Sequence, residues 1–109
     1  VAPLEVGGLI NLRGQIVTAI DLRKRLELSP RTDSQLPLNV VTQINGETVS
    51  LLVDDIGDVL EVSETDFEPP PETLTGNVRN LIRGAYKLED RLLLILDVEK
   101  TTSLKLPSV

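Results

Sequence analysis

A hairpin pattern that occurs twice constrains this chain more than any other feature. Residues from Gly8 onward lie on residues from Gly84 onward at a constant offset of 76, without a gap. Gly8 meets Gly84, Leu12 meets Leu88, Asp21 meets Asp97, Lys24 meets Lys100 and Leu28 meets Leu104. Apolar Ile16, Val17 and Ile20 fall on Leu92, Leu93 and Leu96. In each copy two aliphatic runs flank a polar turn, Arg13-Gly14-Gln15 in one and Glu89-Asp90 in the other. Such a pattern predicts strand, tight turn and strand. The Asp that follows can accept a free backbone N–H and start a short helix. Two copies within 109 residues point to a pair of small β units, each near the lower size limit for a stable core.

Between the copies the chain is also strand-like. Asn39–Ile44 meets Asn45-Gly46, the strongest short hairpin signal because both turn positions tolerate positive φ. Glu47–Val53 returns, Asp54–Gly57 turns, and Asp58–Val62 is predicted as a third strand. Ser29–Pro37 is a polar connector, and Ser63–Asn80 a long loop stiffened by Pro69-Pro70-Pro71. Alternation is lost in Leu92–Leu96, so the facing of that strand stays open. The expected organisation is residues 1–28 as the remainder of a first lobe and 29–37 as the connector. Residues 38–81 would supply the strands and Pro-rich loop of a second lobe, and 82–109 its closing hairpin and C-terminal helix. Residues 38–81 precede the second hairpin, whereas seven residues precede Gly8, and the chain has no Met. We therefore expect the first lobe to lack its opening strands. Exposed strand edges would then invite self-association.

Composition narrows the function classes. With no Cys and no His, a thiolate nucleophile, a Ser-His-Asp relay, a disulfide and the ordinary zinc and haem sites are excluded. Tyr86 and Phe67 are the only aromatics, too few for a base-stacking platform, and the net charge of −6 opposes nucleic acid and anionic membrane surfaces. No apolar run reaches the roughly 18 residues of a membrane span. The reading is a cytoplasmic protein-binding module, not an enzyme, with no cofactor, no metal, no nucleic acid and no direct membrane insertion. Asp54, Asp55 and Asp58 surround Gly57 and could hold a hard cation, but their spacing departs from the EF-hand loop. A solvated turn is the preferred reading, with a small Asp-based metal-binding domain as the distant alternative. Gly7-Gly8 lacks the pattern of a phosphate loop. Arg23-Lys24-Arg25 reads as a solvated helix face. Arg13, at a hairpin tip, presents a guanidinium that can pair with a partner carboxylate.

Gly8-Leu9-Ile10-Asn11-Leu12-Arg13-Gly14, with Ile16-Val17 and Asp21-Leu22-Arg23, closely resembles the CheW-like family of chemotaxis coupling proteins. So do Leu52-Val53-Asp54 with Asp58-Val59-Leu60, Pro69-Pro70-Pro71-Glu72, and Ile82-Arg83-Gly84 with Leu92–Leu96, Asp97 and Glu99-Lys100. The resemblance implies an all-β fold (mainly β with short helices) of two SH3-like five-stranded barrels, the first incomplete. It also implies a non-catalytic adaptor joining chemoreceptor cytoplasmic tips to the regulatory domain of a CheA-type histidine kinase. A CheW-like domain of a larger kinase or hybrid coupling protein, or a twitching-motility homologue, fits the same residues. Mapped onto this chain, the receptor-facing surface would include Gly8, Arg13, Ile56, Val59 and Glu72. Ile56 and Val59 would offer an apolar strip to a helix, and Arg13 and Glu72 would set its register at the rim. Were they not partner-facing, Val59 would be ordinary core and Ile56 a buried turn anchor.

Overall fold

A computed structural model describes residues 6–32 and 34–103. Along the chain run β1 (Val6–Leu12), β2 (Gln15–Asp21), α1 (Leu22–Arg25), β3 (Leu38–Ile44) and β4 (Glu47–Val53). A 3-10 turn (Glu64–Asp66), β5 (Phe67–Glu68), α2 (Gly76–Leu81), β6 (Ile82–Lys87), β7 (Leu92–Leu96) and α3 (Val98–Thr102) follow. The described strands form a four-stranded sheet in the order β1-β2-β4-β3 and a three-stranded sheet in the order β5-β6-β7.

The hairpin repeat extends to backbone detail. Val6 pairs with Ile20 and Gly8 with Ala19, the register slipping between them; Ile82 pairs with Leu96 and Gly84 with Ile95, with the same slip. Each of these pairs is displaced by 76 residues from its counterpart, so both copies carry one bulge at one place. An inserted residue of this kind bends a strand and raises its twist, which a small curved sheet needs. Both capping aspartates act as expected: Asp21 Oδ1 accepts from the Arg23 N–H and Asp97 Oδ1 from the Lys100 N–H, each at 3.0 Å. The turns differ. Arg13-Gly14 and Asn45-Gly46 share φ values of 52° and 84°, the two positive angles of a type I′ hairpin.

Three expectations need correction. Where the sequence alone groups residues 38–81 with the closing hairpin, hydrogen bonding joins β4 in parallel to β2, Thr18 facing Val49 and Ile20 facing Leu51. The β3–β4 ribbon therefore lies in the sheet of the first hairpin. Val49–Val53, aliphatic except for Ser50, lies in an inner strand of this sheet, with β2 on one side and β3 on the other. A parallel pair demands a long crossover, here α1, the connector, β3 and its Asn45-Gly46 turn, and local sequence does not announce which strand of the ribbon pairs with β2. Secondly, Asp58–Val62 forms no strand. Thirdly, the stretch read as loop contains β5 and α2, elements of two and six residues that are too short for a periodic signal.

The core is small and lies mainly where the repeats meet the crossover. Val17, Ala19, Ile20, Leu51, Leu81, Ile82 and Ala85 are buried. Among the described residues two polar ones are also fully buried, each with a partner: Ser50 Oγ donates to Asn39 Oδ1, and Thr101 Oγ1 to the Asp97 carbonyl. Arg25 ties the repeats together, its Nε donating to the Thr101 carbonyl and its NH2 to the Lys100 carbonyl, both at 3.0 Å. Arg25 and Thr101 occupy equivalent repeat positions, so this contact lies across the internal pseudo-symmetry.

Candidate functional site

Gly8 sits at the β1 bulge with φ 138°, a backbone region that side chains disfavour, and its surface is exposed. Arg13 lies at the other end of β1. Its own φ is positive, held by the Asn11 side chain, whose Oδ1 accepts the Gly14 N–H at 2.9 Å. Five residues at about 3.3 Å each put roughly 16 Å between Gly8 and Arg13 along the strand. The two mark the ends of a surface. Between them Leu9 and Ile16 are also exposed, 67% and 70%, and share one face of the hairpin because Leu9 pairs with Thr18 and Ile16 with Asn11. Neither stood out in the sequence, where an outward aliphatic in a strand looks like an inward one.

Ile56 and Val59 follow β4 in a segment without regular hydrogen bonding. Val59 is 98% exposed and Ile56 60%. Neither is core or a buried turn anchor. Leu60 and Val62 are exposed as well, so residues 56–62 present aliphatic side chains to the surroundings. Glu72, after the three prolines, is exposed. Among the described contacts none joins these five residues to one another.

The basic run is not a solvated face. Only Lys24 is exposed. Arg23 Nε donates to Asp54 Oδ1 at 2.8 Å and Arg31 Nε to the same oxygen at 3.1 Å. Arg31 NH1 also reaches Asp21 Oδ1 at 2.9 Å and its NH2 the Leu52 carbonyl at 3.2 Å. One arginine from the connector thus pins the α1 cap to the end of β4. The hydrogen bond from Arg23 holds the Asp54 carboxyl below its usual range, with the Arg23 and Arg31 charges acting the same way. Asp54 is committed to two guanidinium groups, and Asp55 Oδ1 accepts the Ile56 N–H. That chemistry suits an anchored strand end better than a cation site. These arginines border a cleft of about 150 Å³ whose other walls include Leu22, Leu26, Leu28 and Val53. No sequence signal marked Arg31, because its partners are 10, 21 and 23 residues away.

Two small sheets, with aliphatic side chains exposed on the first hairpin and on residues 56–62, make up a mainly β chain. The model of the family described as the CheW-like domain matches residues 2–105. The chain is 32% identical over 98 residues to the chemotaxis protein CheW of Rhizobium meliloti, covering 90% of this chain and 63% of that protein. It is 36% identical over 90 residues to the chemotaxis protein CheW of Bacillus subtilis, covering 83% and 58% respectively. Among solved structures, the scaffolding protein TtCheW from Thermoanaerobacter tengcongensis superposes with a TM-score of 0.81 at 30% identity, over 94% of this chain and 70% of that one. The chain belongs to the CheW-like family, and its mainly β architecture of two SH3-like units is that of the family. It spans less than two thirds of the length of these curated relatives. Among the described residues no helix is long and apolar enough to cross a membrane.

Proposed function

We propose that this chain acts as a non-catalytic chemotaxis scaffold in the cytoplasm, coupling chemoreceptor cytoplasmic tips to the regulatory domain of a CheA-type histidine kinase. Family membership supports the scaffold role, and the relatives' names supply the chemotaxis context. The observation that carries the receptor-facing part is the exposure of Ile56 and Val59. An aliphatic side chain 98% in water gains nothing from the fold, whereas burial against a helix stabilises a complex by about 25 cal/mol per Å² of apolar surface. In this reading Ile56 and Val59 receive the apolar face of a receptor helix, and Arg13 and Glu72 pair with charges at its rim. Gly8 leaves room at the far end of β1. The roughly 16 Å from Gly8 to Arg13 matches about eleven residues of helix at 1.5 Å each.

Titration of a receptor-tip peptide hairpin by calorimetry tests the reading, with Ile56→Lys/Val59→Lys and Arg13→Glu as variants. Both side-chain sets lie outside the buried core, so thermal midpoints should stay unchanged while affinity falls about ten-fold or more. Unchanged receptor affinity in both folded variants would remove these residues from the interface. A parallel titration with the kinase regulatory domain asks whether the two partners use separate faces. Sedimentation without either partner reports self-association.

A further inference from the structure

We infer that the cleft between α1, α2 and α3 binds a small oxyanion, with phosphate or a simple carboxylate as the ligand class. The cleft has a volume of about 270 Å³ and is lined by Arg25, Asn77, Asn80, Leu81, Lys100 and Ser103. The chain carries six more acidic than basic residues, yet among the described residues this lining has two cations and no carboxylate. Across α3 the contrast is sharp: the neighbouring 180 Å³ cleft is lined by Glu47 and Glu99.

Geometry makes Arg25 a prepared donor. The carbonyls of Thr101 and Lys100 hold its Nε and NH2 at 3.0 Å, which fixes the plane of the guanidinium. Two of its five N–H donors are used there, and among the described residues the others have no acceptor. The Lys100 ammonium forms no ion pair among the described residues. The side-chain amides of Asn77 and Asn80 and the Ser103 hydroxyl add neutral donors. A fork of fixed N–H groups beside a mobile ammonium and amides is the donor set that oxyanions take. The space is several times the roughly 30 Å³ of one water. Arg25 comes from the helix after the first hairpin and Lys100 from the helix after the second. A bound anion would therefore bridge the two repeats and stabilise their packing.

The probe is inorganic phosphate, with acetate in a second arm, at ionic strength held constant with chloride. Nitrogen–proton NMR follows the side-chain amides of Asn77 and Asn80 and the backbone of Ser103. Saturable shifts confined to these groups are expected. The thermal midpoint should rise by about 5 °C or more at ten times the dissociation constant. Lys100→Gln should lose affinity about ten-fold while Lys24→Gln, equivalent in the repeat but outside the cleft, keeps it. The Lys100→Gln midpoint without phosphate confirms that the fold is intact. Saturation by acetate alone would assign a planar carboxylate ligand to the same cleft. Linear shifts matching those of chloride, or equal affinity in Lys100→Gln, would overturn the site.

Discussion

Gly8 and Gly84 occupy the same place in the two repeats for different physical reasons, and alanine substitution separates those reasons. A Cβ on Gly84 would run into the ring of Phe67 and lie 2.6 Å from the Glu68 carbonyl oxygen. The Glu68 carbonyl is not free to move alone, because β5 pairs Glu68 with Ala85 on the very strand that carries Gly84, and the Phe67 ring can turn away only by giving up its edge contact with Tyr86. Overpacking of this kind costs about 1–3 kcal/mol. In a domain of this size that lowers the thermal midpoint by about 4–8 °C for each kcal/mol. A Cβ on Gly8 meets nothing within 4 Å among the described residues, but the φ of 138° is one that L-residues avoid; strain there costs about 1–3 kcal/mol. The two single variants are therefore alike in magnitude and unlike in cause. Urea unfolding of Gly84→Ala, Phe67→Ala and the double variant gives the coupling. Removing the ring should recover about 1 kcal/mol of the Gly84→Ala loss, the Glu68 carbonyl retaining the remainder. In the same cycle Gly8→Ala with Phe67→Ala should be additive. Additivity in the Gly84 cycle would refute the packing argument, and coupling in the Gly8 cycle would refute the strain argument.

Other perturbations read different parts of the molecule. Asp97→Ala removes a helix cap and should cost about 1 kcal/mol by urea unfolding. Asp21→Ala removes the equivalent cap and also the partner of Arg31, so it should cost more than Asp97→Ala; equal losses would mean that the Arg31 bond contributes nothing. Ile20, 2% exposed where β2 meets β4, should lose about 2–5 kcal/mol on truncation to Ala, and a loss below 1 kcal/mol would place the core elsewhere. The folded-state pKa of Asp54 lies below its unfolded value. Its contribution is present above the unfolded pKa of about 4 and is lost as the pH falls through the lower, folded value. Asp54→Asn should therefore flatten the acid limb of stability against pH, and an unchanged limb would show that the carboxylate is not engaged.

Local structure was legible in the chain wherever it follows from neighbours in sequence. Asn45-Gly46 specifies a turn by itself, Asp21 and Asp97 cap the helices that follow them, and the 76-residue repeat reaches down to a shared bulge. The family is legible for the same reason, because its motifs are short and contiguous. Facing and partnership were not. Leu9, Ile16 and Val59 are aliphatic like Val17 and Leu51, yet the first three are exposed and the last two buried. The parallel pairing of β2 with β4, the two arginines on Asp54 and the span of Arg25 to α3 all join residues far apart in sequence. Loop closure costs entropy whichever strand is chosen, so the choice falls to the total surface buried and donors satisfied once every strand is in place. Composition and periodicity were enough to determine a duplicated β pattern and to exclude chemistry that needs Cys or His. Which of its aliphatic and cationic side chains stay exposed was decided by tertiary packing, since burial is a property of the whole assembly of strands.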